Sequence, residues 1–272
     1  MSAWRSLLFV PGNRPDRFDK ARAAGADSIC IDLEDAVAPD QKAAAREAVA
    51  ECLAHSRGAG PAVGVRINAV TSLDGCKDIS TLALDLDRAD FLMLPKVVSS
   101  HDIELVAGWL GAPKPLIPVI ESGAGLLAAA DILNHLRCGA VLFGGVDYSA
   151  DVGCSLEWDG LFFARSQLAV AAASAGVPVF DVPYLDVEDS AGLIEETRRA
   201  KALGLAARAA IHPKQIAGIH DALAHTHAEL DHARRVIAAL EDAKGSAALL
   251  NGKLIEKPVI LAAERLLAHE RT

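Results

Sequence analysis

Pro115-Leu-Ile-Pro-Val-Ile-Glu121 and Ala140-Val-Leu-Phe-Gly-Gly-Val-Asp147 decide the fold of this chain. Each is a short apolar run that reads as a strand and is followed by a carboxylate, and a helical stretch separates the two. That order predicts consecutive strands of one parallel sheet, whose neighbours lie roughly 5 Å apart. Glu121 and Asp147, at the same ends of such strands, can share one hard cation.

Working outward, eight β-rich runs follow one another: Ser6–Val10, Ser28–Leu33, Ala62–Ile67, Phe91–Pro95, Leu116–Ile120, Ala140–Gly144, Pro178–Val182 and Arg208–Ile211. Most are near-continuously apolar, as strands covered on both faces are. Ala-rich helical patterns lie between them, at Arg14–Ala24, Gln41–Ala54, Ser100–Leu110, Gly125–Leu136, Gly160–Ala175 and Ser190–Leu203. Gly25, Gly111, Gly176 and Gly204 stand where a helix should stop before the next strand. The third unit is the weakest, because Thr71–Arg88 has a poor helical period and reads as partly loop. Strand then helix, eight times over, predicts an α/β fold, a single (β/α)8 TIM barrel. The barrel is expected over residues 1–220 and a C-terminal helical extension over 221–272, packing on the barrel or on a neighbouring subunit. Within the extension, Ile216–Ala243 and Val259–His269 read as helical and Gly245–Lys257 as irregular.

Composition agrees with one large core and excludes several functions. The 272 residues suit one barrel, and 27 Lys+Arg against 36 Asp+Glu leave a formal charge of −9. That acidity argues against nucleic-acid binding and against a polybasic membrane surface, because phosphates are repelled. The 5 cysteines are odd in number, scattered and without a Cys-x-x-Cys, which fits reduced thiols in the cytoplasm. No apolar run is long enough to cross a bilayer.

In a barrel of this kind the chemistry sits at the C-terminal ends of the strands. Those positions hold Pro11-Gly12-Asn13, Glu34-Asp35, Arg66, Lys96, Glu121, Asp147 and His212. Glu121 and Asp147 suit Mg²⁺, which takes one or two carboxylates together with water and substrate oxygens. They read equally well as caps of the helices that follow, with Ser122 a second N-cap candidate. Arg66 is a guanidinium inside an apolar strand and needs an anion: either Glu34 in a structural pair or a substrate oxygen. Asp32, Glu34 and Asp35 crowd one strand end and require a neutralising cation. Glu34 reads as orienting metal-bound water; the alternative has Asp35 capping a turn before Pro39 and Asp32 pairing with a barrel lysine. Arg14, Arg17 and Lys20 flank a helix start that could hold phosphate, although a solvated charged face gives the same pattern. His212 reads as a structural hydrogen-bonder, and Lys96 as a salt bridge rather than a Schiff-base lysine.

Taken together, Arg5-Ser-Leu-Leu-Phe-Val-Pro-Gly12, Asp32-Leu-Glu-Asp35, Val65-Arg-Ile-Asn68, Leu94-Pro-Lys96, Ile120-Glu-Ser122 and Phe143-Gly-Gly-Val-Asp147 resemble the citrate lyase β-subunit-like family of the HpcH/HpaI aldolase and citrate lyase superfamily. Ala164-Arg165, Asp186-x-Glu188-Asp189, Ile211-His-Pro-x-Gln215 and Gly252-Lys-x-Ile-Glu-x-Pro258 carry the resemblance to the end of the chain. It implies a Mg²⁺-dependent carbon–carbon lyase that cleaves a 3-hydroxyacyl-CoA, of citramalyl-CoA or malyl-CoA type, to acetyl-CoA and a 2-oxo acid. By the same resemblance Glu121 and Asp147 are the metal ligands, Arg66 and Glu121 bind substrate, and Phe9, Arg17 and Lys20 stand near the CoA part. The catalytic set so implied is Arg66, Glu34 and Glu256. In the family the proton donor to the departing enolate is an aspartate on the C-terminal segment of an adjacent subunit. Here that position is Glu256, one methylene longer, in a homo-oligomer (trimer or hexamer) with shared sites. Two alternatives keep the barrel: a citrate lyase β subunit acting on an acyl-carrier-bound citryl thioester, and a barrel that binds CoA thioesters without turnover. The aldolase branch with an early catalytic histidine is disfavoured, because no His precedes His55.

Overall fold

The computed structural model describes residues 4–55, 60–110, 113–242, 248–250 and 253–270, in two compact units, Met1–Leu223 and Ala224–Thr272. In the first, eight parallel strands close into a barrel in chain order. They are β1 (Ser6–Pro11), β2 (Ser28–Asp32), β3 (Ala62–Arg66), β4 (Phe91–Leu94), β5 (Leu116–Ile120), β6 (Val141–Phe143), β7 (Val179–Asp181) and β8 (Ala207–Ala210). The helices between them are α1 (Phe18–Arg22), α2 (Lys42–His55), α3 (Leu73–Leu86), α4 (Ser100–Trp109), α5 (Gly123–Leu127), α6 (Ala129–Leu133), α7 (Gly145–Val152), α8 (Trp158–Ala175), α9 (Ser190–Ala202) and α10 (Gln215–Leu223).

Two sequence expectations change in detail. The segment read as partly loop holds α3, a 14-residue helix capped by Ser72, whose side chain accepts from Gly75 N. Its core face carries a charge that obscures the pattern: buried Asp78 lies beside Ile79 and Leu82, because it answers buried Arg46 of α2 at 2.6 Å. The long helix expected from Ile216 divides into α10 and α11 (His227–Asp242). Thr226 separates them; its amide and hydroxyl bond Glu229, a cap that starts α11 afresh. Gly176 ends α8 in the left-handed conformation at φ 72°, where a side chain would strain, and Gly25 and Gly204 also have positive φ. Gly111 lies outside the described residues.

Strand parity sorts the core into two layers. Residues Leu7, Cys30, Phe91, Met93, Ile117, Val119, Leu142, Phe180 and Ala209 fill the barrel interior. Their strand neighbours, such as Ile29, Val65, Ile120 and Val141, face the helices. β3 contributes only Gly64 to its interior level, where an added Cβ would lie 2.2 Å from the Phe91 ring. One large ring thus occupies space that two side chains cannot share.

A second charged layer lies outside the barrel wall. Arg208 of β8 and Asp181 of β7 meet Arg165 of α8 and Glu196 of α9. Both arginines are fully buried, so each needs the two carboxylates it touches. Arg165 also lies 4.7 Å from the Trp158 ring.

The second unit contains α11, a short antiparallel pair β9 (Ala248–Leu250) and β10 (Lys253–Ile255), and α12 (Lys257–Glu270). The stretch expected to be irregular therefore contains this hairpin. Ala233, Val236, Ile255 and Ala263 form the unit's own small core.

Candidate active site

Parity also sets the mouth of the barrel. Asp32 pairs in register with Arg66 across β2 and β3, and each is in phase with an interior residue, Cys30 and Gly64. Their side chains meet as a fork: Arg66 Nε donates to Asp32 Oδ1 at 2.7 Å and Nη2 to Oδ2 at 2.6 Å. Asp32 also accepts the amides of Glu34 (2.9 Å) and Ala36 (3.1 Å), fixing the turn beyond β2. The Arg66 guanidinium lies over the Phe9 ring at 4.9 Å. Burial works against its charge, but the Asp32 hydrogen bonds and the nearby acids outweigh burial and hold its pKa above the ordinary arginine value.

This corrects the sequence reading at Asp32 and bears it out for Lys96 as a salt bridge. Asp32 pairs with Arg66 and not with a lysine. The lysine, Lys96, pairs instead with Glu34, Nζ to Oε1 at 2.7 Å. That bond raises the Lys96 pKa, which removes the free amine a Schiff base requires. Glu34 Oε2 lies 3.1 Å from Arg66 Nη1 as an ion pair, yet the two are misaligned for a hydrogen bond. A buried carboxylate oxygen therefore lacks a hydrogen-bond partner, and burial pushes the Glu34 pKa up.

Glu121 follows β5 and is buried, and its Oε1 accepts the Lys96 amide at 2.6 Å. Capping of the next helix falls to Ser122, whose Oγ accepts from Gly125 N at 3.0 Å. Burial, then the charges of Glu34 and Asp147, push the Glu121 pKa up to about 8. Asp147 sits in the first turn of α7, a helix with no side-chain cap. At Gly144 an added Cβ would lie 2.4 Å from Glu121 Cβ and 2.7 Å from its Oε2. Only a glycine lets the chain leave β6 this close to the carboxylate.

Phe9, Asp32, Arg66, Glu121 and Asp147 share one cavity of about 430 Å³, whose apolar lining includes Leu142, Val182 and Leu185. Asp35 is half-exposed at its rim. Arg17 and Lys20 are exposed and do not line it; Arg14 is forked onto Asp16. His212 is structural: its amide donates to Gln215 Oε1, and its Nδ1 accepts the Lys214 amide. Glu256 belongs to the C-terminal unit, where it is exposed and its carbonyl accepts the Val259 amide of α12.

Sequence reasoning missed the group that holds the acid turn. Lys42, buried at the start of α2, donates to the carbonyls of Leu33 (2.9 Å) and Glu34 (3.0 Å) and to Asn68 Oδ1 (2.6 Å). Asn68 in turn donates to Asp78 Oδ2 and Leu33 O. Asn68 lies within the Val65–Asn68 motif, but nothing local marks Lys42.

The chemistry of the donor set fits a small divalent cation. Burial first, then the charges of Glu34 and Asp147, disfavour the charged form of Glu121, and a cation held between Glu121 and Asp147 would offset all three. Among the described residues no group of three or more His, Cys, Asp or Glu could hold a metal, so a cation here needs water or substrate oxygens as well, the habit of Mg²⁺.

The family described as HpcH/HpaI aldolase/citrate lyase matches residues 5–213. The family described as C–C bond lyase of the TIM-barrel fold matches residues 163–269. Citrate lyase subunit beta of Escherichia coli K12 is 34% identical over 97% of this chain and 92% of its own length. The mitochondrial citramalyl-CoA lyase of Homo sapiens is 31% identical over 96% of this chain and 83% of its own. Among solved structures, CitE from Mycobacterium tuberculosis in complex with magnesium, acetoacetate and coenzyme A is 34% identical, with TM-score 0.84 over 100% of both chains. A closed eightfold barrel with this mouth, matched along nearly its whole length, makes the chain a carbon–carbon lyase of the HpcH/HpaI aldolase/citrate lyase family.

Proposed function

We propose that this chain cleaves a 3-hydroxyacyl-CoA, of citramalyl-CoA or malyl-CoA type, to acetyl-CoA and a 2-oxo acid, with Mg²⁺ as cofactor. The observation that carries the reading is the shared cavity in which Glu121 and Asp147 face Arg66 across the barrel mouth. Glu121 and Asp147 would hold the ion, which supplies a Lewis acid for the carboxylate and keto oxygens of the 2-oxo acid.

The residues of the chain supply the rest. The Asp32 fork uses Arg66 Nε and Nη2, and we assign substrate oxygen to the Nη1 edge, which here forms an ion pair with Glu34 Oε2 at 3.1 Å. It stabilises oxyanion charge as the bond breaks, and Asp32 keeps it from swinging away. Glu34, held by Lys96, has in Oε2 an oxygen that meets Arg66 as an ion pair and makes no hydrogen bond, and we assign it the orienting of bound water. Phe9 presents an apolar face under Arg66, excluding water from that side. Phe9, Arg17 and Lys20 are the CoA contacts we assign, the last two exposed where phosphates would meet them. Glu256 of a neighbouring subunit would protonate the acetyl enolate in a homotrimer with shared sites. Exposed Phe163 and Val170 on α8 support association between copies. The described cysteines are not joined in disulfides, and among the described residues no helix is long and apolar enough to cross a membrane; we place the enzyme in the cytoplasm.

A panel of malyl-, citramalyl- and citryl-CoA with Mg²⁺, read as glyoxylate, pyruvate and oxaloacetate, tests the proposal. No 2-oxo acid from any of them refutes it. Near-full-length similarity to citrate lyase subunit beta favours a second reading, a citryl thioester on an acyl carrier. Turnover that needs a carrier-bound substrate would select it.

A further inference from the structure

We infer that Lys96 is a positioning residue that sets two of the mouth's carboxylates at once, Glu121 through its backbone and Glu34 through its ammonium. The inference rests on the functional reading above and names how that site is held in register.

Lys96 is the sole non-glycine residue with positive φ among the described residues, at 56°. An L side chain pays conformational energy there, and such residues persist only where their surroundings over-determine them. Every neighbour of Lys96 is fixed. Leu94 ends β4, and Val97 is buried. The Val98 and Ser99 amides both donate to Asp102 Oδ2 at 3.0 Å. Gly125 at the start of α5 abuts the same loop, so closely that an added Cβ would lie 2.7 Å from the Val97 carbonyl.

The left-handed turn has a specific result. It aims the Lys96 amide at Glu121 Oε1, at 2.6 Å, while the side chain runs to Glu34 Oε1, at 2.7 Å. A residue in ordinary extended or helical backbone would turn that N–H elsewhere. Glu121 would then keep no hydrogen bond to fix its rotamer, since no other donor to its carboxylate is recorded among the described residues. One residue on β4's loop thereby spaces a carboxylate after β2 from a carboxylate after β5. Lys96 touches neither substrate nor reacting atoms in this scheme; it acts through the two acids.

The backbone and ammonium roles separate by substitution. Lys96→Gly and Lys96→Val both delete the ammonium, but glycine takes positive φ freely and valine resists it. Binding of Mn²⁺ alone to each purified full-length variant, followed by electron paramagnetic resonance of the free ion, reads the backbone half. Lys96→Gly is expected to bind Mn²⁺ at least tenfold more tightly than Lys96→Val, with circular dichroism confirming the fold of both. Equal dissociation constants overturn the inference. If Lys96→Val does not fold, Lys96→Ala replaces it, and an alanine variant binding as the glycine variant does overturns it equally. For the ammonium half, Lys96→Met is expected to lose about tenfold in kcat with KM within about twofold, and Lys96→Arg to restore most of it. Lys96→Met at wild-type kcat refutes that half. A wild type that binds Mn²⁺ but cleaves no acyl-CoA sinks the functional reading while leaving the comparison of glycine and valine decisive; a wild type that binds no Mn²⁺ overturns both.

Discussion

Gly144→Ala is the sharpest structural test of the proposed metal site. The new methyl carbon would start 2.4 Å from Glu121 Cβ, 2.7 Å from its Oε2 and 3.0 Å from Val119 Cγ1. Carbon atoms rest at about 3.5–4.0 Å, so Glu121 or the β6–α7 junction must yield by about 1 Å or more. Overpacking of this kind typically costs 1–3 kcal/mol of stability. A displacement near 1 Å at a reacting centre can cost about 10²-fold in rate, equivalent to about 2.7 kcal/mol of barrier. Gly64→Ala provides the control. Its Cβ would fall 2.2 Å from the Phe91 ring, a worse clash deep in the barrel and away from the carboxylates. Urea unfolding gives stability, and steady-state cleavage with a Mn²⁺ dissociation constant gives the site. We expect Gly144→Ala to lose about 10²-fold in kcat/KM and to bind Mn²⁺ more weakly. We expect Gly64→Ala to lose stability at least as severely while its folded fraction keeps kcat/KM within about threefold. Wild-type turnover and metal binding in Gly144→Ala would show that the carboxylate is not held where this backbone puts it.

Glu121→Ala and Asp147→Ala should each abolish Mg²⁺-dependent cleavage and leave the circular dichroism spectrum unchanged, and undiminished turnover in either one contradicts their role. Mixing Arg66→Ala subunits with Glu256→Ala subunits should recover part of the activity, because shared sites regain one intact set; confirmed mixed oligomers that stay inactive argue for sites within single chains. Burial, helped by the charge of Arg5 and opposed by Asp27, lowers the pKa of His220 below its ordinary 6.5. The unfolded chain then binds more protons below about pH 6.5, so stability should fall as pH drops through that range, and His220→Gln should flatten the fall. Identical urea midpoints against pH in the two proteins would remove His220 as the cause. Arg208→Met should cost about 3–5 kcal/mol in urea unfolding, because Asp181 and Glu196 lose a buried partner, while kcat/KM of the folded enzyme is unchanged.

How much of this was legible before the coordinates depends on which interaction is at stake. The eight strands and the carboxylates at their ends follow from apolar runs and their terminating residues, which are local signals. α3 was misjudged because Asp78 faces the core, and its reason for doing so, Arg46, is 32 residues away. The Asp32 pairing failed for the same cause: with Asp32, Glu34 and Asp35 in one turn, Arg66 on another strand and Lys96 beyond a third, no spacing rule says which acid takes the arginine's fork. Backbone geometry was equally silent. Nothing in Leu94-Pro-Lys96 announces a left-handed lysine, because the conformation is imposed by β4, α4 and α5 acting together.

What does separate a working charge from a structural one here is its phase along the strand. On β3, Val63 and Val65 face the helices, so Gly64 and Arg66 face inward, and Arg66 as the last residue opens into the mouth. On β8, Ala207 and Ala209 face inward, so Arg208 points out and is consumed by Asp181 and Glu196. The same alternation puts Asp32 in phase with Cys30 and Glu121 in phase with Val119. Asp181, beside Arg208 in the β7–β8 register, is out of phase with Phe180 and serves the wall. Two arginines inside strands look alike as sequence, yet a shift of one residue in phase sends one to the cavity at the barrel mouth and the other to the helices. Strand phase thus brings Asp32, Arg66 and Glu121 to one mouth, while the Lys96 loop fixes Glu121 and Glu34 and the first turn of α7 supplies Asp147. Such a mouth needs charges on inward phase at the last residue before the turn, and glycine at the points, such as Gly144, where two strand ends come closest.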